Sequence, residues 1–485
     1  MPRLVSLGDE ALIAVDTIAD RTAGLFAPNI RLGVTGLSRA GKTVFITALV
    51  HNLLHGGRLP LFDVAHSGRL VSATLEPQPD DGVPRFAYEK HVRDLVKERL
   101  WPESTRAISQ LRLTLEYESA NTLGRLFSRG RLHVDIVDYP GEWLLDLPLL
   151  GKSYAEFSQD AFELAGNGSR AAIAAPFLAL ADKADPDAPL DEEYAELLSD
   201  TYKAYLHECR NDGLSLSTLP PGRFLMPGDM DGSPALTFSP LPKLSNRAVS
   251  GSLQAMMERR FASYKSLVVK PFFRNHITRL DRQIVLVDAM RAMNTGPEAV
   301  RDLERALGDI MTCFRPGASS FLTGLWQRRI DRLLIAATKA DHLHHEDHAR
   351  MEAVVARLVE RAAERAGGAG ARVETLALAA VRATREGSVR ENGDRLPVIM
   401  GTPLAGEEID DRVFDGEAET AVFPGDMPDD LDKFFDGEAV RQSTPTRFVR
   451  FRPPDLERAA GTASLSLPHI RLDKALQFLL GDRLT

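Results

Sequence analysis

Cysteine is almost missing from this chain: its 485 residues include only Cys209 and Cys313, far apart. Two distant thiols give neither a disulfide framework nor a zinc-ligand spacing, and they suit a reducing compartment. No apolar run is long enough to span a bilayer, so membrane insertion is not expected. A secretion signal is not expected either, because acidic residues break "SLGDEALIAVDTIADRTAGLF" where an uninterrupted apolar core is needed. Positions Leu12, Val15, Ala19, Thr22 and Phe26 repeat at three to four, which predicts an amphipathic helix over residues 1–28. Such a helix more often packs on its own protein than on a membrane surface. A basic surplus is also lacking. The formal net charge is −9, and residues 406–438 hold 13 acidic side chains against Arg412 and Lys433. With the rest close to neutral, there is no electrostatic reason to expect nucleic acid. Cytoplasmic residence follows as the expectation, with any membrane attachment made through a partner.

The remaining composition, 44% hydrophobic and 26% charged, is ordinary for a globular protein. Strand-like runs organise it. "NIRLGVTG" (29–36) is apolar and β-branched, and "KTVFITALVHNLLHGG" continues it as a helix stopped by two glycines. A polar, proline-dotted stretch from Pro60 to Pro84 leads to a helical pattern over 86–100. The alternating runs 109–119 and 131–142 read as an antiparallel pair. From Trp143 to about Leu280 the strand rhythm gives way to helical periodicity around a Pro/Gly-rich loop. Apolar strands at 282–290, 332–341 and 372–381 then alternate with helices, which predicts a parallel sheet covered on both faces. The fold class is therefore α/β with a large helical insertion. The expected division is an N-terminal helix (1–28), a discontinuous nucleotide domain (29–142 and 281–385), an insertion (143–280) and a C-terminal segment (386–485). That last segment carries the acidic stretch and a closing helix.

Residues 36–43, "GLSRAGKT", fit G-x-x-x-x-G-K-[ST] between a buried strand and a helix. Gly36 and Gly41 let the backbone of Ser38, Arg39 and Ala40 curl so that successive N–H groups face phosphate oxygens. Lys42 supplies charge to the β- and γ-oxygens, the Thr43 hydroxyl is a magnesium ligand, and the helix dipole favours the same anion. Asp138 ends an apolar strand with Gly141 three residues on, a D-x-x-G arrangement. It predicts a carboxylate beside the magnesium and a glycine N–H near the γ-phosphate. Asp288 is the rival acidic ligand, but no glycine follows it at that distance. Thr338-Lys339-Ala340-Asp341 names the base, since a carboxylate accepts from guanine N1–H and N2–H₂ and adenine has no such donor pair. The Lys339 stem packs along the purine, His342 flanks it, and a backbone N–H within Ala380–Thr384, from Ala380 or Val381 onward, meets the guanine carbonyl. In "WPESTR", Thr105 is the expected switch ligand, with Ser104 as alternate. Arg106 or Arg39 can add charge to the transition state, although most arginines so placed are simply solvated. The histidines of "DHLHHEDH" lack cysteines or a distant ligand set, so they do not read as a metal site.

The pieces "GLSRAGKTVFITALVHNLL", "DYPGEW", "PGRFLMPGD", "PALTFSPLP", "DRQIVLVD", "TKADH" and "RLDKALQFLLGDRL" together resemble the YcjX-like proteins, bacterial P-loop GTPases associated with stress responses. The resemblance covers essentially the full length. It implies a Ras-like nucleotide domain with a helical insertion, GTP/GDP and Mg²⁺ as cofactors, and a link to an inner-membrane partner of the YcjF type. It also implies nucleotide contacts from Arg39, Gly41, Lys42, Thr43, Trp101, Ser104, Thr105, Arg106, Lys339, Asp341, His342, Ala380 and Val381. One departure from small GTPases stands out: Glu142 follows the D-x-x-G glycine where a water-orienting glutamine is usual. Glu142 either orients water itself or leaves hydrolysis slow without help. Three readings remain open: a GTP-hydrolysing switch, a non-catalytic nucleotide-gated scaffold, and, least supported, an ATP-using kinase.

Overall fold

The apolar run Asn29–Gly36 is buried from Ile30 onward and forms the central strand of a seven-stranded sheet. The strands are β1 (Asn29–Gly36), β2 (Leu70–Glu76), β3 (Ser109–Tyr117), β4 (Gly130–Asp138), β5 (Arg282–Val287), β6 (Arg332–Ala337) and β7 (Arg372–Ala377). Their order is β2-β3-β4-β1-β5-β6-β7. Pairing is parallel from β4 through β7, and β3 runs antiparallel to both β2 and β4. The computed structural model describes residues 28–37, 39–103, 107–120, 130–211, 216–313, 330–366, 372–391, 394–409, 412–425, 427, 448–456 and 466–485. The helix expected ahead of Pro28 lies outside them.

Alternation along each strand divides the core in two. Ile284 and Leu286 of β5 point to one face, with Ile30, Leu32 and Val34 of β1. Helices α1 (Lys42–Leu54) and α2 (Tyr88–Val96) cover that face. Val285 and Val287 point to the other face, which the residues between β4 and β5 cover. There the chain runs through a 3₁₀ segment (Gly141–Gly151) and helices α3 (Tyr154–Ala165), α4 (Arg170–Ala181), α5 (Glu192–Arg210) and α6 (Leu253–Tyr264). Local chemistry starts several of these helices. Ser153 and Glu156 form a capping box on α3, Asp191 accepts from the Tyr194 amide on α5, and Ser252 accepts from the Ala255 amide on α6. Aromatic rings fill the interior between them, with Phe157 stacked on Phe261 at 4.9 Å. After β5 come α7 (Ala289–Thr295) and α8 (Pro297–Cys313), and after β6 comes α9 (His348–Ala366).

Two elements were not anticipated. The strand β2 lies inside the proline-dotted stretch 60–84; as an edge strand with mostly half-buried side chains it has no apolar run to betray it. Beyond Thr384 the chain forms β8 (Arg385–Glu391), β9 (Asp394–Gly401), β10 (Glu408–Ile409), β11 (Arg412–Val413) and β12 (Thr420–Val422). β12, β9 and β8 make a three-stranded sheet with a small core of Ile399, Phe414, Val422, Val449 and Phe451. The closing helix α10 (Leu472–Leu480) buries Leu472, Leu476 and Leu479 in the same core as α1. Asn52 of α1 fixes its approach by bonding both the carbonyl (3.1 Å) and the amide (3.0 Å) of Leu467.

A buried ion pair fastens the insertion to α8. The Arg170 guanidinium lies 2.6 Å from Asp302, whose second oxygen accepts from the Ser217 and Thr218 amides. Removing one partner strands the other charge in a low dielectric, at a cost of about 3–5 kcal/mol. Asp302→Ala should therefore lower the chemical-denaturation midpoint sharply. Denaturation followed by circular dichroism checks this, with a loss under about 1 kcal/mol contradicting it.

Candidate functional site

β1 ends at Gly36 and the chain doubles back through a short loop into α1. Arg39 (φ 62°) and Gly41 (φ 80°) adopt the left-handed region, and only the glycine does so without steric cost. The Leu37 amide donates to the Leu286 carbonyl (3.2 Å) and the Ala40 amide to the Leu37 carbonyl (3.0 Å), so the loop is tied to β5. Gly41 provides no side-chain cap to α1. The first amides of a helix have no intrahelical acceptor, and here the helix starts on the wall of a cavity of about 650 Å³.

That cavity gathers most of the expected contacts. Arg39, Ala40, Gly41, Lys42 and Thr43 line one end; Trp101 lies on its wall; Lys339, Asp341, His342, Ala380 and Val381 line the other end. Ser38, Ser104, Thr105 and Arg106 lie outside the described residues. Gly36, Asp138, Gly141 and Glu142 are not on the cavity wall. Asp138, 2% exposed, sits at the end of β4 in register with Val34 of β1. An added Cβ on Gly141 would stand 2.4 Å from the Gly36 carbonyl oxygen, so the turn after Asp138 presses directly on the start of the loop. Glu142 is buried and turned to the insertion, its Oε1 3.1 Å from the Arg210 guanidinium on α5. Thr43 Oγ1 donates to the Glu103 carbonyl at 3.3 Å, which draws the Trp101–Glu103 segment over the start of α1.

At the other end, Lys339 (φ 63°) sends its Nζ to Asp288, 2.5 Å away. Burial opposes the charge of Asp288, but the lysine's charge and hydrogen bond outweigh it and hold the carboxyl below its usual range. Asp288 also accepts from the Arg291 amide and so caps α7. The rival acidic ligand is thus engaged in a salt bridge and a cap. The Asp341 carboxylate accepts from the Ala383 amide (2.8 Å), and the Thr384 hydroxyl donates to the Asp341 carbonyl. The loop after β7 therefore fixes the base-end carboxylate. Burial lowers the His342 pKa, and its ring meets Phe451 edge-on at 5.3 Å.

Phe451 belongs to a wall that sequence reasoning missed. Leu404, Glu407 and residues 448–451 close the cavity from the C-terminal segment. Trp101 Nε1 donates to the Phe451 carbonyl at 2.6 Å, and Glu407 pairs with Arg450 at 2.6 Å. The signal available was the alternation of "VRFR" (449–452), too short to stand out.

Sheet order and loop geometry together define an α/β protein of the Ras-like P-loop kind, with helices inserted between β4 and β5. Residues 30–484 match the sequence model described as "YcjX-like family, DUF463", and the chain belongs to the YcjX-like family. It is 40% identical over 468 residues to the Escherichia coli (strain K12) protein named Ras-like GTPase YcjX, covering 94% of this chain and 96% of the relative. A protein of the same name from Shewanella oneidensis strain MR-1 is 36% identical over 477 residues, covering 94% and 95%.

The turn beyond Gly141 leads into a buried polar cluster with the insertion. Asp146 accepts from the Gly222 amide (2.6 Å), the Arg223 amide (3.2 Å) and the Tyr264 hydroxyl (2.6 Å). Burial outweighs these donors and pushes its pKa from 3.8 to about 6. A proton held more tightly when folded adds stability that is complete below the ordinary value and lost as pH rises to about 6. Relative to Asp146→Asn, the native chain should lose roughly 3 kcal/mol between pH 4 and pH 7. Paired urea titrations at several pH values measure this difference, and a flat one contradicts it.

Proposed function

We propose that this chain binds GTP and hydrolyses it to GDP and phosphate, working as a nucleotide-dependent conformational switch. The observation that carries the reading is a single cavity with the Lys42 loop at one end and Asp341 at the other. The first matches a triphosphate. The second offers a fixed carboxylate to the N1–H and N2–H₂ donors of guanine. The two relatives, each named a Ras-like GTPase, support the same assignment. An adenine nucleotide gains nothing from Asp341, which argues against the ATP-using kinase.

In this reading Lys42 and the amides of Gly41–Thr43 neutralise the β- and γ-phosphates. Thr43 and Asp138 are hard oxygen donors at the head of α1 and the end of the neighbouring β4, a set that fits Mg²⁺. When bound, the ion supplies positive charge to the phosphoryl oxygens; Thr105 is its expected switch ligand. Gly141 sets its N–H beside the loop, and Arg106 or Arg39 adds charge as the leaving group departs. The pairing of Glu142 with Arg210 keeps it from orienting the water that attacks the γ-phosphate, so turnover is slow until a partner or the insertion frees it. The same pair favours a second reading, a nucleotide-gated scaffold with negligible turnover. Residues 29–142 and 281–385 act as the nucleotide unit, with 143–280 and 386–485 moving in response. The setting we infer is cytoplasmic, in a stress or envelope process, through an inner-membrane protein partner and without nucleic acid. Among the described residues no helix is long and apolar enough to cross a membrane.

Single-turnover phosphate release from GTP should exceed that of Lys42→Ala by at least about 100-fold. Equal rates with tight GTP binding would select the scaffold reading, and absent binding would remove both. Asp341→Asn should shift preference from guanine to xanthine nucleotides, read by competition with a labelled nucleotide. Trp101→Phe removes one hydrogen bond to the C-terminal wall, worth about 1 kcal/mol. It should speed nucleotide dissociation roughly fivefold in a displacement assay, and an unchanged rate would show that this wall does not retain the ligand.

A further inference from the structure

Four histidines follow the base-end aspartate, and the site described above uses only part of them. His342 meets Phe451, and His348 Nε2 bonds the Ala340 carbonyl at 2.8 Å. His344 and His345 remain, their ring centroids 4.3 Å apart. His344 is only 9% exposed, and its Nδ1 is buried without a hydrogen-bond partner among the described residues. A buried polar atom left in this way is destabilising unless something answers it. The nearby groups are those that hold metals. Glu346 Oε2 lies 3.5 Å from that nitrogen. Glu386 of β8, far along the chain, places Oε2 at 2.6 Å from His345 Nδ1 and 3.9 Å from His344 Nε2. One ligand atom from each of His344, His345 and Glu346 falls within 4.8 Å of the others. The fold thus adds a distant carboxylate, Glu386, that holds the two imidazoles from the far side.

We propose that His344, His345 and Glu346 form a binding site for a divalent transition metal of the zinc class, with Glu386 orienting the imidazoles. Two imidazoles with carboxylate oxygens select zinc-like ions over magnesium or calcium, which prefer all-oxygen shells. In a tetrahedral zinc shell with bonds near 2.1 Å the donor atoms sit roughly 3.4 Å apart. The 3.5 Å between Glu346 Oε2 and His344 Nδ1 meets that value, and one ligand atom from each of the three residues lies within 4.8 Å of the others, while Glu386 faces the other nitrogen of His344. Arg382 holds the other oxygen of Glu386 at 3.2 Å and orients the carboxylate. The site lies three residues beyond Asp341 and reaches to the first strand of the C-terminal sheet. A bound ion would clip the base loop to that sheet, independently of whichever nucleotide the cavity takes.

The test uses the full chain without a histidine tag, freed of metal by a chelator and kept in excess Mg²⁺. Zinc chloride is titrated in competition with a chromophoric chelator, and thermal unfolding is followed with and without zinc. The expected result is one equivalent bound at micromolar affinity or tighter, with a rise in melting temperature. His344→Ala and Glu386→Gln should each weaken binding at least tenfold. His345→Ala, at a side chain 62% exposed, should keep the fold but abolish the zinc-dependent rise. Lys42→Ala should bind zinc as the native chain does. No stoichiometric zinc, equal affinity in the His344 and Glu386 variants, or loss of zinc in Lys42→Ala would each overturn the proposal.

Discussion

The contact between Gly141 and Gly36 governs the rest of the structure, because it joins two backbones with no room for a side chain between them. It brings the turn that leaves β4 against the loop that leaves β1. Two hydrogen bonds reinforce the junction. Thr35 Oγ1 donates to the Tyr139 carbonyl at 3.3 Å, and the Tyr139 hydroxyl donates to Gln283 Oε1 of β5 at 2.7 Å. β1 and β4 are thus locked at their C-terminal ends, the edge at which parallel α/β sheets hold ligands, and Gln283 near the start of β5 ties the turn to a third strand. Any displacement of the turn must move the loop with it.

From that junction the chain enters the insertion without a hinge of loose polypeptide. Every residue from Gly141 to Leu147 is buried. Trp143 stacks under the Arg223 guanidinium at 3.3 Å and donates to the Met226 carbonyl at 2.9 Å, while the Glu142 carbonyl lies beneath Gly222. A cation over an indole is worth about 2 kcal/mol or more when both are desolvated. With the three donors on Asp146, the turn has more contact with the insertion than with solvent. The arrangement suits a fold in which a small change at the phosphate end is delivered to a large, rigid helical body, since close-packed interfaces shift as units.

How far the sequence revealed this depended on whether the information was local. The glycines and lysine of residues 36–43, the Asp138–Gly141 spacing and the capping serines act within a few residues, and a pattern can display them. The parallel strands were legible because burial on both faces leaves continuous apolar runs. β2 was not, because an edge strand needs only partial burial. Arg210 as the partner of Glu142, and Glu386 as that of His345, arise from contacts across long stretches of chain. The C-terminal wall was least legible: residues 404 and 448–451 come together through the Pro403–Phe451 bridge, the Leu404–Arg450 backbone bond and a small separate core, all contacts across more than forty residues.

That wall also decides how a ligand enters. Its described links to the segment before the expected switch loop are the Trp101–Phe451 bond at 2.6 Å and the Arg99–Pro453 bond at 3.2 Å. Its contact with the base loop is the edge-on packing of His342 and Phe451. Each such link contributes about 1 kcal/mol net. Phe448 adds packing against the larger core, so the wall is held by more than its hydrogen bonds. Because two of the three links reach residues just ahead of Ser104–Arg106, a switch loop that reorders with the γ-phosphate would alter the opening directly.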